Sequence, residues 1–255
     1  MVYSLSEGED WLFVGEASSV IQSQPQTQRI LVVDDDPAIL RLVRDKFEWA
    51  GFEVLTAASA QAALDLIAHR GLPHLAVVDL NMPGMDGFEF CRRVLHFSDL
   101  PIVILTAVDE EETVIRAIDH FAEDYVTKPF SPRELVARVR RVLRRIGDFA
   151  YCLEPVTRVD ERLAIDFVGQ QAIVSDQPVD LSPTEAKILY LLMRHAGRVL
   201  PSDYLLSRVW PLEEVYEDTL RVNVHRLRRK IGHNPAGLPY IVTERGVGYS
   251  FLPDA

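Results

Sequence analysis

Five short apolar runs recur along the first half of the chain, with helix-period segments between them, and this alternation restricts the fold more than any other feature. The runs are "RILVV", "FEVLTA", "HLAVVD", "PIVILTA" and "DYVTK", separated by stretches such as "AILRLVRDKFEWAG" and "DGFEFCRRVLHF". Strands each followed by a helix imply an α/β doubly wound fold, a five-stranded parallel sheet with helices on both faces. The near-continuous apolar character of "LAVV" and "PIVIL" suits strands buried on both sides.

In such sheets ligands bind outside the carboxyl ends of the strands, near the point where the strand order reverses. Those ends carry Asp34 and Asp35 after the first run, Asp79 after the third, Thr106 after the fourth and Lys128 after the fifth. The second run offers only Thr56 and Ala57, neither ionisable. Taken singly, an Asp run after a strand is most often a solvated turn or a helix cap, Thr106 a β-branched strand residue, and Lys128-Pro129 a loop. Together, three carboxylates, a hydroxyl and an ammonium at matching strand ends form a site for a hard divalent cation and a phosphoryl group. A carboxylate there can also act as the nucleophile and form an acyl phosphate. Asp36, directly before Pro37, is placed to cap the first helix.

With 255 residues, 48% of them hydrophobic, the chain is long enough for two modest domains. No apolar run approaches the roughly 20 residues of a bilayer span, and the acidic start (Glu7, Glu9, Asp10, Glu16) lacks the early Lys or Arg of a secretory signal. Cys91 and Cys152 lack metal-ligand spacing, so two reduced thiols in a cytoplasmic protein with no membrane partner are expected. The net charge of −11 argues against nucleic acid in sum, but not in distribution. Residues 1–150 carry 24 acidic and 15 basic side chains, and the remainder 14 and 12. Within that remainder, Thr219 to Ile231 ("TLRVNVHRLRRKI") holds five Lys or Arg and no acid.

Helical pattern ends near Arg145, and 147–159 reads as a linker spanning roughly 20 Å if flexible, enough to decouple two domains. "LAIDF", "QAIVS" and "QPVDLS" then read as a small antiparallel sheet. "SPTEAKILYLLMRHAGRV" opens with a helix start, Ser182 as cap, Pro183 first and Glu185 three after the cap. On a helical wheel of 219–231, Leu220, Val224, Leu227 and Ile231 form a core-facing stripe. Val222, His225, Arg226 and Arg229 lie opposite, flanked by Arg221 and Arg228. Such a face suits the major groove, where Arg reads guanine and an aliphatic group meets the thymine methyl. A merely solvated basic face carries the same pattern.

The motifs "ILVVDDDPAI", "VVDLNMPGMDGFEF", "PIVILTA" and "DYVTKPFSPRELVARV" together resemble the flavodoxin-like receiver domains of two-component response regulators, over Arg29 to about Ile146. By that resemblance Asp34, Asp35 and Asp79, with the backbone carbonyl of Asn81, would hold Mg²⁺ or Mn²⁺, and Asp79 would accept the phosphoryl group. Thr106 and Lys128 would contact the phosphoryl oxygens, Tyr125 would be the aromatic switch, and Lys128-Pro129 a cis peptide. The last helix-strand-helix face would pair two activated receivers symmetrically, using Arg116, Glu123, Asp124, Glu134 and Arg138. Two departures bear on that pairing: "FAED" puts Phe121 at a usual glycine, and Val114 stands where a basic residue is common.

"LSPTEAKILYLLMRHAGRVL", "YLLSRVW", "VNVHRLRRKIG" and "VTERGVGYSF" likewise resemble the winged-helix effector of the OmpR/PhoB family, a small α+β domain over residues 160–255. The resemblance implies a recognition helix at Thr219 to Ile231 and a wing hairpin at Tyr240 to Phe251. Within these, Arg221, Val222, His225, Arg226, Arg228 and Arg229 would meet DNA. Thr219 and Thr243 would touch phosphates, Arg245 would enter the minor groove, and the Trp210 to Glu217 loop would face RNA polymerase. Arg221, Asn223, Asp218 and Glu244 depart from common family residues, so no relative's target sequence transfers.

The expectation is a regulator that takes a phosphoryl group from a sensor histidine kinase, dimerises through its receivers and binds repeated half-sites in double-stranded DNA. A Mg²⁺-dependent phosphohydrolase is the enzymatic alternative, but no second general acid accompanies Asp79, so only self-phosphorylation and slow self-dephosphorylation are expected. A phosphorylation-independent dimer would have lost an acidic or Lys position, and an adaptor would lack the basic helix. Residues 1–28, with "EDWLFVGEASSV", form an N-terminal extension without an assigned role.

Overall fold

The structure is a computed structural model and describes residues 27–107, 122–146, 154–211 and 213–252. The first unit contains β1 (Arg29–Val33), α1 (Pro37–Trp49), β2 (Glu53–Ala57), α2 (Ala60–Arg70), β3 (Leu75–Asp79), α3 (Gly87–Phe97), β4 (Ile102–Ala107), β5 (Asp124–Lys128) and α4 (Pro132–Ile146). Its strands are all parallel, in the order β2-β1-β3-β4-β5. The order reverses between β1 and β3, so Asp34 and Asp79 stand on either side of the switch point. The helix expected between β4 and β5, with Val114, Arg116 and Phe121, lies outside the described residues.

Side-chain alternation divides the strands between two cores. Ile30, Val32, Leu75, Val77, Val103 and Leu105 pack with α1 and α4 on one face. Leu31, Val33, Ala76, Val78, Ile102 and Ile104 pack with α2 and α3 on the other. Each fully buried aliphatic side chain contributes about 1.5–3 kcal/mol of transfer free energy, which explains why both faces are apolar. The end of α1 is closed as expected: Asp36 Oδ1 accepts from Ala38 N at 2.7 Å, with Pro37 at the first position. Such a cap stabilises by about 1 kcal/mol relative to Ala. Cys91 is a free, buried thiol, and Cys152 lies outside the described residues.

The second unit opens with an antiparallel sheet, β6 (Thr157–Arg158), β7 (Leu163–Asp166), β8 (Gln171–Val174) and β9 (Gln177–Asp180). The strand Thr157–Arg158 falls inside the expected linker; two residues paired with Ile165 and Ala164 are too short to show a period. Helices α5 (Pro183–Arg194), α6 (Ser202–Val209) and α7 (Glu217–Ile231) follow, with β10 (Leu200–Pro201), β11 (Ile241–Glu244) and β12 (Gly248–Phe251) forming a second sheet. Ser182 and Glu185 make the expected reciprocal capping box on α5. In α7 the stripe Leu220, Val224, Leu227 and Ile231 is buried as the wheel requires, but the helix starts at Glu217, two residues before the expected Thr219.

The units do not stand apart. Every residue of α5 from Glu185 to Arg194 is buried, because its inner face meets the second unit's core and its outer side meets α3. The expected decoupling by the linker is therefore replaced by a packed seam. Among the described residues no helix is long and apolar enough to cross a membrane.

Candidate phosphoryl-acceptor site and DNA interface

The carboxyl ends of β1, β3 and β5 bring three acids and one ammonium together. Asp34 and Asp79 are buried and Asp35 is exposed, and one carboxylate oxygen from each lies within 4.8 Å of the others. Lys128 Nζ donates to Asp34 Oδ2 at 2.8 Å and lies 2.9 Å from Asp79 Oδ2. Asp36 N donates to Asp34 Oδ1 at 2.9 Å, and Asn81 N to Asp79 Oδ1 at 3.4 Å. With all four groups ionised the site carries a net charge of about −2, which a divalent cation cancels. Oxygen ligands on one side and the exposed Asp35 on the other suit a hard cation that keeps part of its water shell.

The electrostatics are those of a poised site. Burial pushes the Asp34 carboxyl above its ordinary value, against the Lys128 hydrogen bond, which pulls it down. Burial also works against the Lys128 charge, but its hydrogen bonds to Asp34 and Asp79 prevail and hold it above the ordinary ammonium value. The Lys128-Pro129 peptide is cis.

Thr106, at the end of β4, is fully buried, while Tyr125 on β5 is 41% exposed. Asn81 is exposed, two residues past Asp79. Gly87 is a site residue that motif reading passed over. A Cβ there would stand 2.2 Å from the Asp79 carbonyl oxygen and 2.8 Å from Leu80 Cα, both backbone atoms that cannot turn aside. Only glycine lets α3 begin against the back of the acceptor strand, and the "DG" pair in "GMDGFEF" was its sequence trace.

Of the expected pairing residues, Arg138 lies 3.2 Å from Asp124 Oδ1 and 2.9 Å from Glu134 Oε1. Glu123 is bound by Arg145 and Arg208. Arg116 lies outside the described residues.

The second unit presents Thr219, Arg221, Val222, His225, Arg226 and Arg229 on the exposed side of α7, and Thr243 and Arg245 at the wing. Gly246, at φ +75°, turns the hairpin between β11 and β12. Arg221 is drawn back along its own helix, 2.9 Å from Glu217 and 3.4 Å from Asp218. Arg228 behaves differently from its neighbours. Its Nε donates to Ile241 O at 2.9 Å, its Nη2 to Thr243 Oγ1 at 2.7 Å, and its guanidinium lies 5.9 Å from the Tyr249 ring centroid. It ties the helix to the wing and sets their angle, a role that helix spacing alone could not disclose.

The chain matches the response regulator receiver domain over residues 30–140 and the C-terminal domain of transcriptional regulatory proteins over residues 176–251. It is 37% identical over 229 residues to the phosphate regulon transcriptional regulatory protein PhoB of Escherichia coli (strain K12), covering 88% of this chain and 97% of that one. It is 38% identical over 232 residues to the probable transcriptional regulator ycf27 of Porphyra purpurea, covering 89% and 95%. The crystal structure of the response regulator DrrB, an OmpR/PhoB homolog from Thermotoga maritima, aligns at 31% identity over 89% of this chain and 99% of its own, with a TM-score of 0.43. A receiver on a DNA-binding domain implies a histidine kinase upstream and DNA downstream. The chain belongs to the OmpR/PhoB family of response regulators, transcriptional regulators governed by phosphorylation rather than enzymes in the ordinary sense.

Proposed function

We propose that Asp79 is the residue that accepts the phosphoryl group. The convergence of Asp34, Asp35, Asp79 and Lys128 at the sheet's switch point carries this reading. Asp34, Asp35, Asp79 and the Asn81 carbonyl would hold Mg²⁺, or Mn²⁺, which when bound neutralises charge on the incoming phosphoryl oxygens. An Asp79 carboxylate oxygen attacks phosphorus, the phosphorus–nitrogen bond of the kinase's phosphohistidine breaks, and its electron pair leaves with the imidazole nitrogen. Lys128 then exchanges part of its hold on Asp34 and Asp79 for a phosphoryl oxygen. The same chemistry on a small-molecule donor is self-phosphorylation, and slow attack by water reverses it.

The added charge of nearly −2 draws the Thr106 hydroxyl toward the phosphoryl group, and Tyr125, exposed in the present state, turns in behind it. The altered face then pairs with a second receiver through Glu123, Asp124, Glu134 and Arg138, with Arg116 on the adjoining segment. Two effectors so held bind repeated half-sites about one helical turn apart. Val222, His225, Arg226 and Arg229 read the major groove, and Thr219, Arg221, Thr243 and Arg245 meet backbone and minor groove. Arg228 serves DNA binding by positioning the wing. Tyr216, 76% exposed, would be part of the surface that meets RNA polymerase.

Incubating the chain with a small-molecule phosphodonor and Mg²⁺ tests the acceptor. The wild type labels once, and Asp79→Asn does not. Undiminished labelling of the substituted chain would remove Asp79 from the role.

A further inference from the structure

The seam between receiver and effector is built around two receiver acids. Asp99, 4% exposed, follows α3, and its Oδ2 accepts from Arg208 Nε at 3.0 Å and from Arg208 Nη2 at 2.7 Å. Arg194 Nη1 donates to the Asp99 carbonyl at 3.0 Å and lies 3.8 Å from Oδ2. Glu123, directly before β5, accepts from Arg208 Nη2 at 2.9 Å through Oε1, while its Oε2 pairs with Arg145. Lys187 on α5 is 7% exposed, and burial pulls its ammonium below the ordinary value, against the opposing pull of Asp99. Docked, the buried Asp99 and the partly buried Glu123 are offset by these cations, and removing a cation while the seam stays closed leaves a low-dielectric charge unpaired.

The position of these acids matters as much as their pairing. Asp99 stands just ahead of β4 and Glu123 just ahead of β5, and Glu123 N donates to Ile102 O at 2.8 Å, joining the two strand starts. The same two strands carry Thr106, one residue short of the end of β4, and Lys128, the last residue of β5. At about 3.3 Å per residue, strands of six and five residues set the acceptor site and the seam roughly 15–20 Å apart at opposite ends of one rigid pair. Glu123 also belongs to the face assigned above to receiver pairing, so this step rests on that reading. While Arg208 holds it, a second receiver cannot use it. The DNA-reading side of α7 stays exposed in this docked arrangement.

We propose that Asp99 and Glu123, with Arg208 and Arg194, form an interdomain clasp that holds the effector on the unphosphorylated receiver, and that receiver pairing requires it to open. The clasp restrains where the effector can be carried, not whether α7 can enter a groove. Phosphorylation therefore governs binding to paired half-sites far more than binding to a single one.

The test uses the full chain without phosphodonor. Arg208 is 35% exposed, so Arg208→Ala removes the clasp without opening a core. Loss of the partner shifts the docked-to-open ratio by on the order of a hundredfold or more. Small-angle scattering of monomeric protein gives a larger radius of gyration for Arg208→Ala, and for the second variant Asp99→Asn, than for wild type. DNA chosen from a random pool by the donor-treated wild type supplies probes with one and with two half-sites. Arg208→Ala binds the double site about tenfold or more tightly than untreated wild type and the single site equally. Identical scattering for all three proteins overturns the clasp. Expansion without the gain on the double site, or with an equal gain on the single site, overturns its role as the brake. Failure of the pairing reading shows separately, as wild type that labels but stays monomeric, and leaves the scattering comparison intact.

Discussion

Replacing Lys128 by methionine keeps the length of the side chain but removes the ammonium 2.8 Å from Asp34 Oδ2 and 2.9 Å from Asp79 Oδ2. Asp34 is fully buried and the Asp79 side chain 5% exposed, so water replaces little of the lost partner. Removing one member of a buried ion pair costs about 3–5 kcal/mol; with Lys128 itself 23% exposed, screening sets the cost near the lower bound, about 3 kcal/mol. The mutual repulsion gives a similar figure: two unit charges 4.8 Å apart at an effective dielectric of about 20 repel by about 3.5 kcal/mol. The expected loss is then roughly 6–12 °C in melting temperature, measured by circular dichroism at neutral pH with a chelator present. A divalent cation supplies the missing positive charge, so millimolar Mg²⁺ should restore more stability to the variant than it adds to the wild type. Acid should also narrow the gap. Asp34 is already raised, and without Lys128 its folded value rises further above the unfolded one, so protonation favours the folded variant as pH falls. If Lys128→Met melts with the wild type under chelator, or if Mg²⁺ stabilises both equally, the ammonium is not what holds the two acids together.

Three further outcomes follow from the geometry. His74 Nδ1 accepts from Arg29 N at 2.9 Å, and burial, then the nearby Arg29 charge, depress its pKa from 6.5 to about 4. Because the folded value lies below the unfolded one, its contribution is complete above about pH 6.5 and lost as pH falls toward 4, by up to about 3 kcal/mol. His74→Asn keeps an acceptor near Nδ1 and should flatten the stability profile over that window in urea titrations; an unchanged slope would discard the assignment. In the effector, Arg226→Ala should cost about 1–3 kcal/mol of preference at one base position. Arg228→Ala should instead weaken binding to all sequences by freeing the wing, and footprints across a set of site variants distinguish the two.

Local spacing carried a large share of this protein. The five apolar runs announced the parallel sheet, and the acids just past the first and third lie together at the switch point, with Lys128 of the fifth beside them. Asp36 before Pro37 and Ser182 before Pro183 were legible as caps because a cap depends on neighbours two or three positions away. The buried stripe of α7 followed from helical period alone. What tertiary structure decided lies at long separation. Gly87 is required only because α3 folds back onto Asp79, and Arg228 leaves the solvated face only because β11 and β12 arrive beside it. Arg208 and Asp99 are 109 positions apart, and no periodicity relates residues on two separate domains. The all-round burial of α5 is likewise a property of two surfaces meeting, and pairing across that seam depends on shape and charge in three dimensions that a one-dimensional pattern does not encode.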